Sequence, residues 1–307
     1  MPKKQIAITG ATGFIGAAIV RELLSSGDSV IALLRPNSDV SRLDDIKEDI
    51  QFESYDLLKE DALKSKFSAD VFIHCAWRGV AGEDRNEEFQ IKENVPSVIK
   101  SVELASKLGC TQWIGLGSQA EYGNLNNKID ESSPTMPTTA YGKAKLAGGV
   151  AALGLCEVYG MAGSWLRIFS TYGPGDAPHW FIPHIIGELL AGRSPKLTKC
   201  EQLWDYLYVD DAARAVAAVA RQTDAKGFFN LGSGSPHPLK TYVEAIRTLL
   251  KSNLIPDYGA VPYRPDQVMH LEANIDRLVG LTGWTPLVNF SEGLANMIEH
   301  AKSTWDQ

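Results

Sequence analysis

The fold is set by an N-terminal stretch that reads Ile6-Ala7-Ile8-Thr9 followed by Gly10-Ala11-Thr12-Gly13-Phe14-Ile15-Gly16. The apolar start predicts a short buried strand, and the glycine spacing predicts a tight loop after it. Apolar residues at helical spacing from Phe14 to Leu24 then predict a helix that Gly27 closes. A strand, a glycine loop and a helix in this order favour a site where a pyrophosphate lies against the helix N-terminus. The glycines could instead serve only as a turn and cap.

Short apolar segments recur after this loop, mostly separated by helical stretches. We expect strands at residues 30–34, 51–54, 71–74, 112–116 and 164–169, and a long helix at 87–107. Such alternation predicts an α/β fold with a doubly wound parallel sheet of the Rossmann type.

The sequence pattern changes from Ser170 onwards, where prolines break the alternation of strand-like and helix-like segments. We therefore predict a nucleotide-binding domain over residues 1–170 and a smaller, mixed α/β C-terminal substrate domain over residues 171–307. Residues 228–231 look like one more strand of the main sheet, so the chain is expected to return to the first domain near 205–235.

Composition and charge argue against several classes of protein. The 307 residues carry a net charge of −7, whereas a nucleic-acid or anionic-membrane partner would favour a basic face. Four cysteines are scattered without a CxxC pair, so we expect no disulfide framework and no structural metal, and a reducing cytoplasm fits best. No signal-peptide core or span of about 20 apolar residues appears, so a soluble, cytoplasmic protein is expected.

Two segments later in the chain carry residue types that can transfer protons. Tyr141 and Lys145 lie one helical turn apart, and an ammonium on the same helix face can lower the pKa of a phenol enough for proton transfer near neutral pH. This spacing alone is common. Here it follows the glycine loop and the pair Gly117-Ser118 at the end of an apolar run. The three features in this order predict a nucleotide-dependent redox site with Ser118, Tyr141 and Lys145 as its catalytic residues.

The residues after the second and third strands bear on the cofactor. A carboxylate about 20 residues past the glycine loop would bind the ribose diol of NAD, but Arg35 stands at that strand end. Arg35 can meet a 2′-phosphate with charge-assisted hydrogen bonds, which favours NADP(H) and leaves NAD(H) possible. It could also be a solvated strand end. Asp56 and Leu57 are placed to border the adenine, although an Asp in a loop is commonly a turn residue.

These motifs together resemble the extended short-chain dehydrogenase/reductase family, specifically its nucleotide-sugar epimerase, dehydratase and reductase branch. The resemblance runs nearly end to end. Its anchors are the glycine loop, Asp56-Leu57, His74-Cys75-Ala76-Trp77, Gly117-Ser118-Gln119-Ala120-Glu121-Tyr122-Gly123, Tyr141-Gly142-Lys143-Ala144-Lys145, Tyr172-Gly173-Pro174-Gly175, Asp205-Tyr206-Leu207-Tyr208-Val209-Asp210-Asp211, Asn230-Leu231-Gly232-Ser233-Gly234 and Tyr263-Arg264-Pro265-Asp266.

The resemblance implies a role for each candidate. Tyr141 would exchange a proton with the C4 oxygen of the substrate, Lys145 would bind the nicotinamide ribose and lower the pKa of the tyrosine, and Ser118 would hydrogen-bond the reacting oxygen. The cofactor would be held by Gly10, Thr12, Gly13, Phe14, Ile15, Gly16, Arg35, Asp56, Leu57, Ala76, Trp77, Tyr141 and Lys145. A homodimer is implied by analogy, through packing of the Glu87 and Tyr141 helices of each subunit into a four-helix bundle.

The resemblance also implies a nucleoside-diphospho-sugar substrate, held by Ser118, Gln119, Ser170, Phe181, Arg264 and Asp266. Arg264 would contact the pyrophosphate and Asp266 the nucleotide ribose, while Phe181 could equally be the start of a helix packed on the core. Two positions depart from the pattern. Trp204 stands where relatives carry an arginine near the substrate phosphates, and Ser170 stands where many carry an asparagine near the sugar.

Other departures from the family pattern distinguish among the reactions that the family carries out. The 4,6-dehydratases carry an Asp-Glu pair where this chain has Gln119 and Ala120, so elimination of water is not expected. GDP-fucose synthase has a cysteine at the position of Ala120 and uses a histidine on the later substrate loop. In this chain His179 lies near the position of that histidine, but a lone loop histidine is more often structural. Glu121, if still in a strand, would point to the opposite face and be structural.

Two reactions remain. In the first, NADPH reduces the C4 keto group of a nucleoside-diphospho-4-keto-6-deoxyhexose while Tyr141 supplies the proton, which would make a deoxysugar donor. In the second, a 4-epimerase, tightly held NAD takes the hydride and returns it to the other sugar face. Arg35 favours the reductase. A non-catalytic NADP-binding redox sensor is a remote third possibility, against which Tyr141 and Lys145 count.

Overall fold

The computed structural model describes residues 2–59, 63 and 65–305. Met1, residues 60–62, Lys64 and residues 306–307 belong to the predicted domains but lie outside the described residues. The strands are β1 (Gln5–Thr9), β2 (Ser29–Leu34), β3 (Ile50–Ser54), β4 (Val71–His74), β5 (Gln112–Ser118), β6 (Asn127–Ile129), β7 (Ala162–Ile168), β8 (Ser170–Tyr172), β9 (Lys196–Leu197), β10 (Leu203–Trp204), β11 (Tyr206–Tyr208), β12 (Gly227–Leu231), β13 (His237–Pro238), β14 (Asp257–Tyr258) and β15 (His270–Ala273). The α-helices are α1 (Phe14–Ser25), α2 (Val95–Lys107), α3 (Ala140–Val158), α4 (Phe181–Leu190), α5 (Val209–Ala220), α6 (Leu239–Leu250), α7 (Asp276–Thr282) and α8 (Phe290–Trp305).

Within the described residues, seven parallel strands form the central sheet in the order β12-β7-β5-β4-β1-β2-β3. Strand β1 lies between β2 and β4, so the strand order reverses beside it. In a doubly wound sheet, ligands bind at the carboxyl ends of the strands at this switch point. The structure confirms the predicted α/β fold with its Rossmann-type sheet.

Alternate residues of the central strands pack into different apolar layers, one on each face of the sheet. Ile6 and Ile8 of β1 face the layer formed with α1 and α5, whereas Ala7 faces the layer formed with α2 and α3. Strands buried on both faces read as continuous apolar runs, which is why the sequence identified them. Both helical layers pack directly on the sheet and fix the loops at its carboxyl edge.

The second half of the chain builds a smaller, mixed sheet in the order β13-β10-β15-β6. Strand β10 pairs antiparallel with β13 and parallel with β15. Helices α4, α6 and α8 enclose a separate apolar cluster beside it. The two halves exchange strands, since β6 joins the smaller sheet and β12 joins the central one. The predicted limit at residue 170 remains a prediction.

The helix expected over residues 87–107 is present, but it starts with a π-helical turn that continues directly into α2. A 3₁₀ turn (Gly82–Asn86) and a π-helical turn (Gln90–Asn94) precede α2, which begins only at Val95. The π turn directs the buried side chains of Gln90 and Asn94 into the loop after β4, where they bond its backbone. Among the residues described, no helix has the length and apolar character needed to cross a membrane.

Candidate active site

The glycine loop lies between β1 and α1 at the switch point of the sheet. Gly10 has a φ of +70°, and a Cβ there would lie 2.6 Å from the backbone nitrogen of Ala76. A Cβ on Gly16 would lie 2.0 Å from the Gly10 oxygen. Both positions therefore require glycine, because the loop backs onto the end of β4 on one side and onto α1 on the other.

The N-terminus of α1 is open to an anion. Gly13 is the N-cap and brings no side chain to the first N–H groups of the helix, and the first turn carries no acidic residue. Those N–H groups lack partners inside the helix and carry the positive end of its dipole. Thr12, Phe14 and Ile15 are half-buried at this rim. The arrangement fits the pyrophosphate of a dinucleotide.

The adenosine end of the predicted cofactor site is less enclosed. Arg35 is exposed just after β2, where its carbonyl accepts hydrogen bonds from the backbone and hydroxyl of Ser38 at 3.1 and 2.8 Å. Asp56 accepts from the Leu58 N–H at 3.0 Å, as a turn residue does. Leu57 is buried in the core under α2 and α3. Contact of Asp56 and Leu57 with an adenine therefore remains a prediction.

The fold brings Ser118, Tyr141 and Lys145 together. Ser118 ends β5, and Tyr141 lies in the first turn of α3, whose N-cap Thr139 accepts a hydrogen bond from the Gly142 N–H at 3.1 Å. A Cβ on Gly142 would lie 2.5 Å from the Ala120 oxygen, so this glycine lets the helix approach the strand end. The Tyr141 and Ser118 side chains are both buried, and the Ser118 hydroxyl lies close enough to lower the pKa of the phenol.

Lys145 is buried and lies closer to the Trp77 ring than to the Tyr141 ring. Its Nζ donates to the Leu116 carbonyl at 2.7 Å and lies 3.7 Å from the centroid of the Trp77 ring, but 5.8 Å from that of Tyr141. Burial lowers the pKa of Lys145 to about 7, opposed by the negative charge of Glu121. The ammonium thus sits on Trp77, one of the two residues after β4 that were predicted to border the cofactor.

The electrostatics of Tyr141 differ from the expectation that Lys145 lowers its pKa. Burial is the largest influence and raises the pKa of Tyr141, while the hydrogen bond from Ser118 and the nearby charge of Arg85 lower it. The Arg85 guanidinium carbon lies 4.4 Å from the centroid of the Tyr141 ring. The cation against the phenol in this structure is therefore Arg85.

Glu121 would point to the opposite face if the strand continued past Ser118, but it lies in a 3₁₀ turn (Gln119–Glu121) that folds back on Ser118, where it has the expected structural role. One carboxylate oxygen accepts from the Ser118 and Trp165 N–H groups at 2.9 and 2.8 Å, and the other accepts from Arg167 at 2.7 Å. Glu121 is completely buried. The S-x-x-E spacing of a capping box was the available signal.

The loop after β4 was also missed. Gln90 accepts from the indole N–H of Trp77 at 2.9 Å and donates to the carbonyls of Gly79 and Asp84. Asn94 bonds both the N–H and the carbonyl of Arg78, at 3.0 and 2.9 Å. Two amide side chains four residues apart in an otherwise helical pattern were the only hint.

The predicted substrate residues lie on several different elements. Gln119 is half-buried beside Ser118, and Phe181, the first residue of α4, is half-buried against the core of the second half. Arg264 and Asp266 are exposed on the loop between β14 and β15. That loop contacts the segment that follows β5, because Asn124 donates to the Asp266 carbonyl at 2.9 Å.

Ser170 and Trp204, which depart from the family pattern, and His179 all lie in the second half of the chain. Ser170 accepts a hydrogen bond from the Trp204 indole at 2.9 Å, so the two substitutions are directly coupled. His179 is exposed, with its ring 4.9 Å from that of Trp180.

Comparisons with known proteins agree with this geometry. A model of the NAD dependent epimerase/dehydratase family matches residues 6–232. The dTDP-glucose 4,6-dehydratase of Streptomyces griseus is 26% identical over 318 residues, which cover 98% of this chain and 95% of that protein. The UDP-glucuronate 4-epimerase of Thermodesulfobacterium geofontis is 25% identical over 310 residues, which cover 96% of this chain and 95% of that protein.

The structural comparison leads to the same group. MoeE5 in complex with UDP-glucuronic acid and NAD matches with a TM-score of 0.83 at 25% identity, covering 98% of this chain and 99% of that one. The family model also spans the glycine loop, the Ser118 strand end and the Tyr141 helix. The chain belongs to the NAD dependent epimerase/dehydratase family, in the nucleotide-sugar branch of the extended short-chain dehydrogenases/reductases.

Proposed function

We propose that this chain is a nucleotide-sugar 4-epimerase that transfers a hydride and a proton at C4 of a nucleoside-diphospho-hexose. The observation that carries the proposal is the buried pair of Ser118 and Tyr141 at the carboxyl end of β5, in the sheet that also carries the glycine loop. Enzymes named 4-epimerases recur among the relatives. They move our preference from the 4-keto reductase that Arg35 alone favoured to the 4-epimerase.

The residues present define the work of the protein in this reaction. The glycine loop and Lys145 would hold a dinucleotide cofactor, which when bound would supply reversible hydride exchange at C4. Tyr141 would accept the proton of the C4 hydroxyl and later give it back. Ser118 would hydrogen-bond the same oxygen and keep it aligned with the phenol. Burial of both side chains excludes water from the proton path.

The structure supports the argument against dehydration. Gln119 and Ala120 occupy the two positions where an acid and a base would be needed. The next carboxylate, Glu121, is held by Arg167 and by two N–H groups inside the core. A carboxylate so bound is not free to exchange protons with a substrate.

A second candidate is the NADPH-dependent reduction of a nucleoside-diphospho-4-keto-6-deoxyhexose, with Tyr141 as proton donor. One observation favours it: Arg35 is exposed at the end of β2, where a 2′-phosphate of NADP would lie. The nearest acid along the chain, Asp39, is turned to Ser41, whose N–H and hydroxyl it accepts at 2.9 and 3.0 Å.

Two measurements on the purified protein separate the candidates. Denaturation should release NAD if the chain is a 4-epimerase, and the protein should interconvert C4 epimers of a nucleoside-diphospho-hexose with no added reductant. Loss of NADPH absorbance with a 4-keto-6-deoxyhexose substrate, together with no epimerisation, would instead establish the reductase. Failure of both assays over UDP-, dTDP-, CDP- and GDP-linked sugars would contradict both candidates.

A further inference from the structure

The loop after β4 sets a second cation against the phenol proposed to transfer the proton. Arg85 lies in the 3₁₀ turn (Gly82–Asn86), and its guanidinium carbon is 4.4 Å from the centroid of the Tyr141 ring. Lys145 is farther from that centroid, at 5.8 Å, and its Nζ is engaged by the Leu116 carbonyl. Arg85 is thus the closer of the two cations to the aromatic ring.

The surrounding loop fixes this contact. Asn86 accepts a hydrogen bond at 3.2 Å from the N–H of Ala140, the residue directly before Tyr141. Fully buried Gln90 donates to the Asp84 carbonyl at 3.0 Å, directly before Arg85. The residues on both sides of Arg85 are therefore tied down, one of them to the helix that carries the phenol. The guanidinium itself donates to the Val80 carbonyl at 3.3 Å, so it is placed before the reaction begins.

We propose that Arg85 is a positioning residue whose guanidinium stabilises the ionised form of Tyr141 during proton transfer at C4. A cation over an aromatic face is attracted by the π electrons, and the attraction grows when the ring becomes a phenolate. This inference rests on the proposed function of Tyr141. It assigns to Arg85 the electrostatic task that the sequence pattern gives to Lys145.

The other groups around the phenol define the balance in which Arg85 acts. The Ser118 hydroxyl favours the phenolate by hydrogen bonding, whereas burial and the Glu121 carboxylate disfavour it. Arg85 in turn is affected by burial and by the charge of Arg264, which lower its pKa, and by Tyr141, which raises it. The influence is mutual: Arg85 lowers the pKa of Tyr141 and Tyr141 raises the pKa of Arg85.

The test is a pH titration of Tyr141 in the full-length protein with Arg85→Met. The ultraviolet absorbance of phenolate is recorded for this variant and for the wild type, each against its Tyr141→Phe counterpart, so that the difference isolates Tyr141. Loss of a neighbouring opposite charge should raise the pKa of Tyr141 by about one unit. A matched control is Arg78→Met, because Arg78 lies on the same loop with its guanidinium carbon 4.2 Å over the Phe89 ring, which cannot ionise.

The expected result is an upward shift for Arg85→Met and none for Arg78→Met. Equal titration of Tyr141 in wild type and Arg85→Met would overturn the proposal. Because this titration needs no substrate, it judges the role of Arg85 even if the reaction is not a 4-epimerisation. If Arg85→Met does not fold by circular dichroism, Arg85→Gln replaces it with the same expectation.

A kinetic readout separates positioning of the phenol from substrate binding. The pH limb of kcat/KM that reports the phenolate should move upward in Arg85→Met by the same shift, so that activity lost near pH 7 returns at higher pH. A purely structural defect would not recover with pH. A rise in KM with an unmoved limb would make Arg85 a substrate contact and would overturn the proposal.

Discussion

Glu121, Arg167 and Lys145 are charged side chains buried at the candidate site. Glu121 and Arg167 pair directly at 2.7 Å, whereas Lys145 has only the Leu116 carbonyl as a hydrogen-bond acceptor among the described residues. A buried ammonium without a contacting carboxylate is costly, which is why the pKa of Lys145 falls to about 7. We infer that the protein sacrifices stability at this position for function.

We therefore expect Lys145→Met to abolish turnover and yet stabilise the fold near pH 7. The pKa of Lys145 is about 7 in the folded protein against 10.5 for the free side chain, so the unfolded chain binds more protons between these values and wild-type stability rises with pH. Allowing for the unpaired Leu116 carbonyl, the net gain should be about 1–2 kcal/mol at pH 7. Urea unfolding at pH 7 and pH 10 measures it.

The control for that experiment lies two residues away on the same helix. Lys143 is exposed, so Lys143→Met should change stability by less than about 0.5 kcal/mol at either pH. The difference in free energy of unfolding between Lys145→Met and wild type should shrink towards pH 10. Near that pH the unfolded wild-type chain also begins to lose the Lys145 proton, so deprotonation in the folded state costs less. A Lys145→Met protein less stable than wild type at pH 7 would contradict the electrostatic account.

Glu121 should be the costliest residue of the site to neutralise. Glu121→Gln keeps an acceptor for the Ser118 N–H but leaves the Arg167 charge buried without its partner, and this should cost about 3–5 kcal/mol in free energy of unfolding. Glu93→Gln is the matched control, because the Arg78–Glu93 pair has a similar distance of 2.7 Å but is exposed; its loss should cost less than about 1 kcal/mol. Equal losses in the two variants, measured by denaturant unfolding, would refute the structural role of Glu121.

At the level of elements, the π turn between β4 and α2 is the part of the fold that shapes the site. Its side chains Gln90 and Asn94 bond the loop that carries Trp77 and Arg85. Local insertions of this kind recur at functional sites because they redirect side chains out of the helical pattern. The π turn is thus the link between the helical layer and the phenol.

Gln90→Leu tests this link with a side chain of similar size. The carbonyls of Gly79 and Asp84 and the Trp77 indole would lose their partner, at a cost of about 1–3 kcal/mol. Hydrogen exchange in residues 78–86 should quicken and kcat should fall several-fold, since Arg85 is no longer held against Tyr141. The neighbouring Lys92→Met, which removes only an exposed pair with Glu88, should change neither. Unaltered hydrogen exchange in Gln90→Leu would contradict the claim that Gln90 holds the loop after β4 in place.

The elements differ in how far the sequence predicts them. The central strands were predictable because burial on both faces makes them apolar throughout, as in Val71–His74. The π turn at the start of the helix over 87–107 was not, because it depends on hydrogen bonds from Gln90 and Asn94 to the preceding loop after β4. The 3₁₀ turn at Glu121 was not predicted, although the spacing of Ser118 and Glu121 is that of a capping box.

At the scale of the whole molecule, the site lies where the two halves of the chain interlock. Asp205 is fully buried and accepts hydrogen bonds from the N–H groups of Ser233, Gly234 and Ala273 at 2.6, 3.0 and 2.9 Å, which ties the end of β12 to the smaller sheet. Strand β6 crosses in the other direction. We infer that the two sheets hold the loops of the site in one arrangement.

The sequence predicts the outline of this assembly but not its details. The glycine loop and the Tyr141 helix carry local patterns that any chain of the fold must satisfy. Strand β6 is a three-residue, mostly exposed segment, so no periodicity marks it. The bond between Ser170 and Trp204 joins two elements remote in sequence, and only the folded chain shows that these two departures from the family belong together.

The most direct test of the central claim follows a deuterium at C4. The wild-type protein is incubated, without added reductant, with UDP-, dTDP-, CDP- and GDP-linked hexoses labelled there, and products are read by mass spectrometry and NMR. We predict a C4 epimer that retains its deuterium, and a loss of rate of at least about 100-fold in Tyr141→Phe with cofactor still bound. A product carrying solvent hydrogen at C4, or an unchanged rate in Tyr141→Phe, would contradict the account.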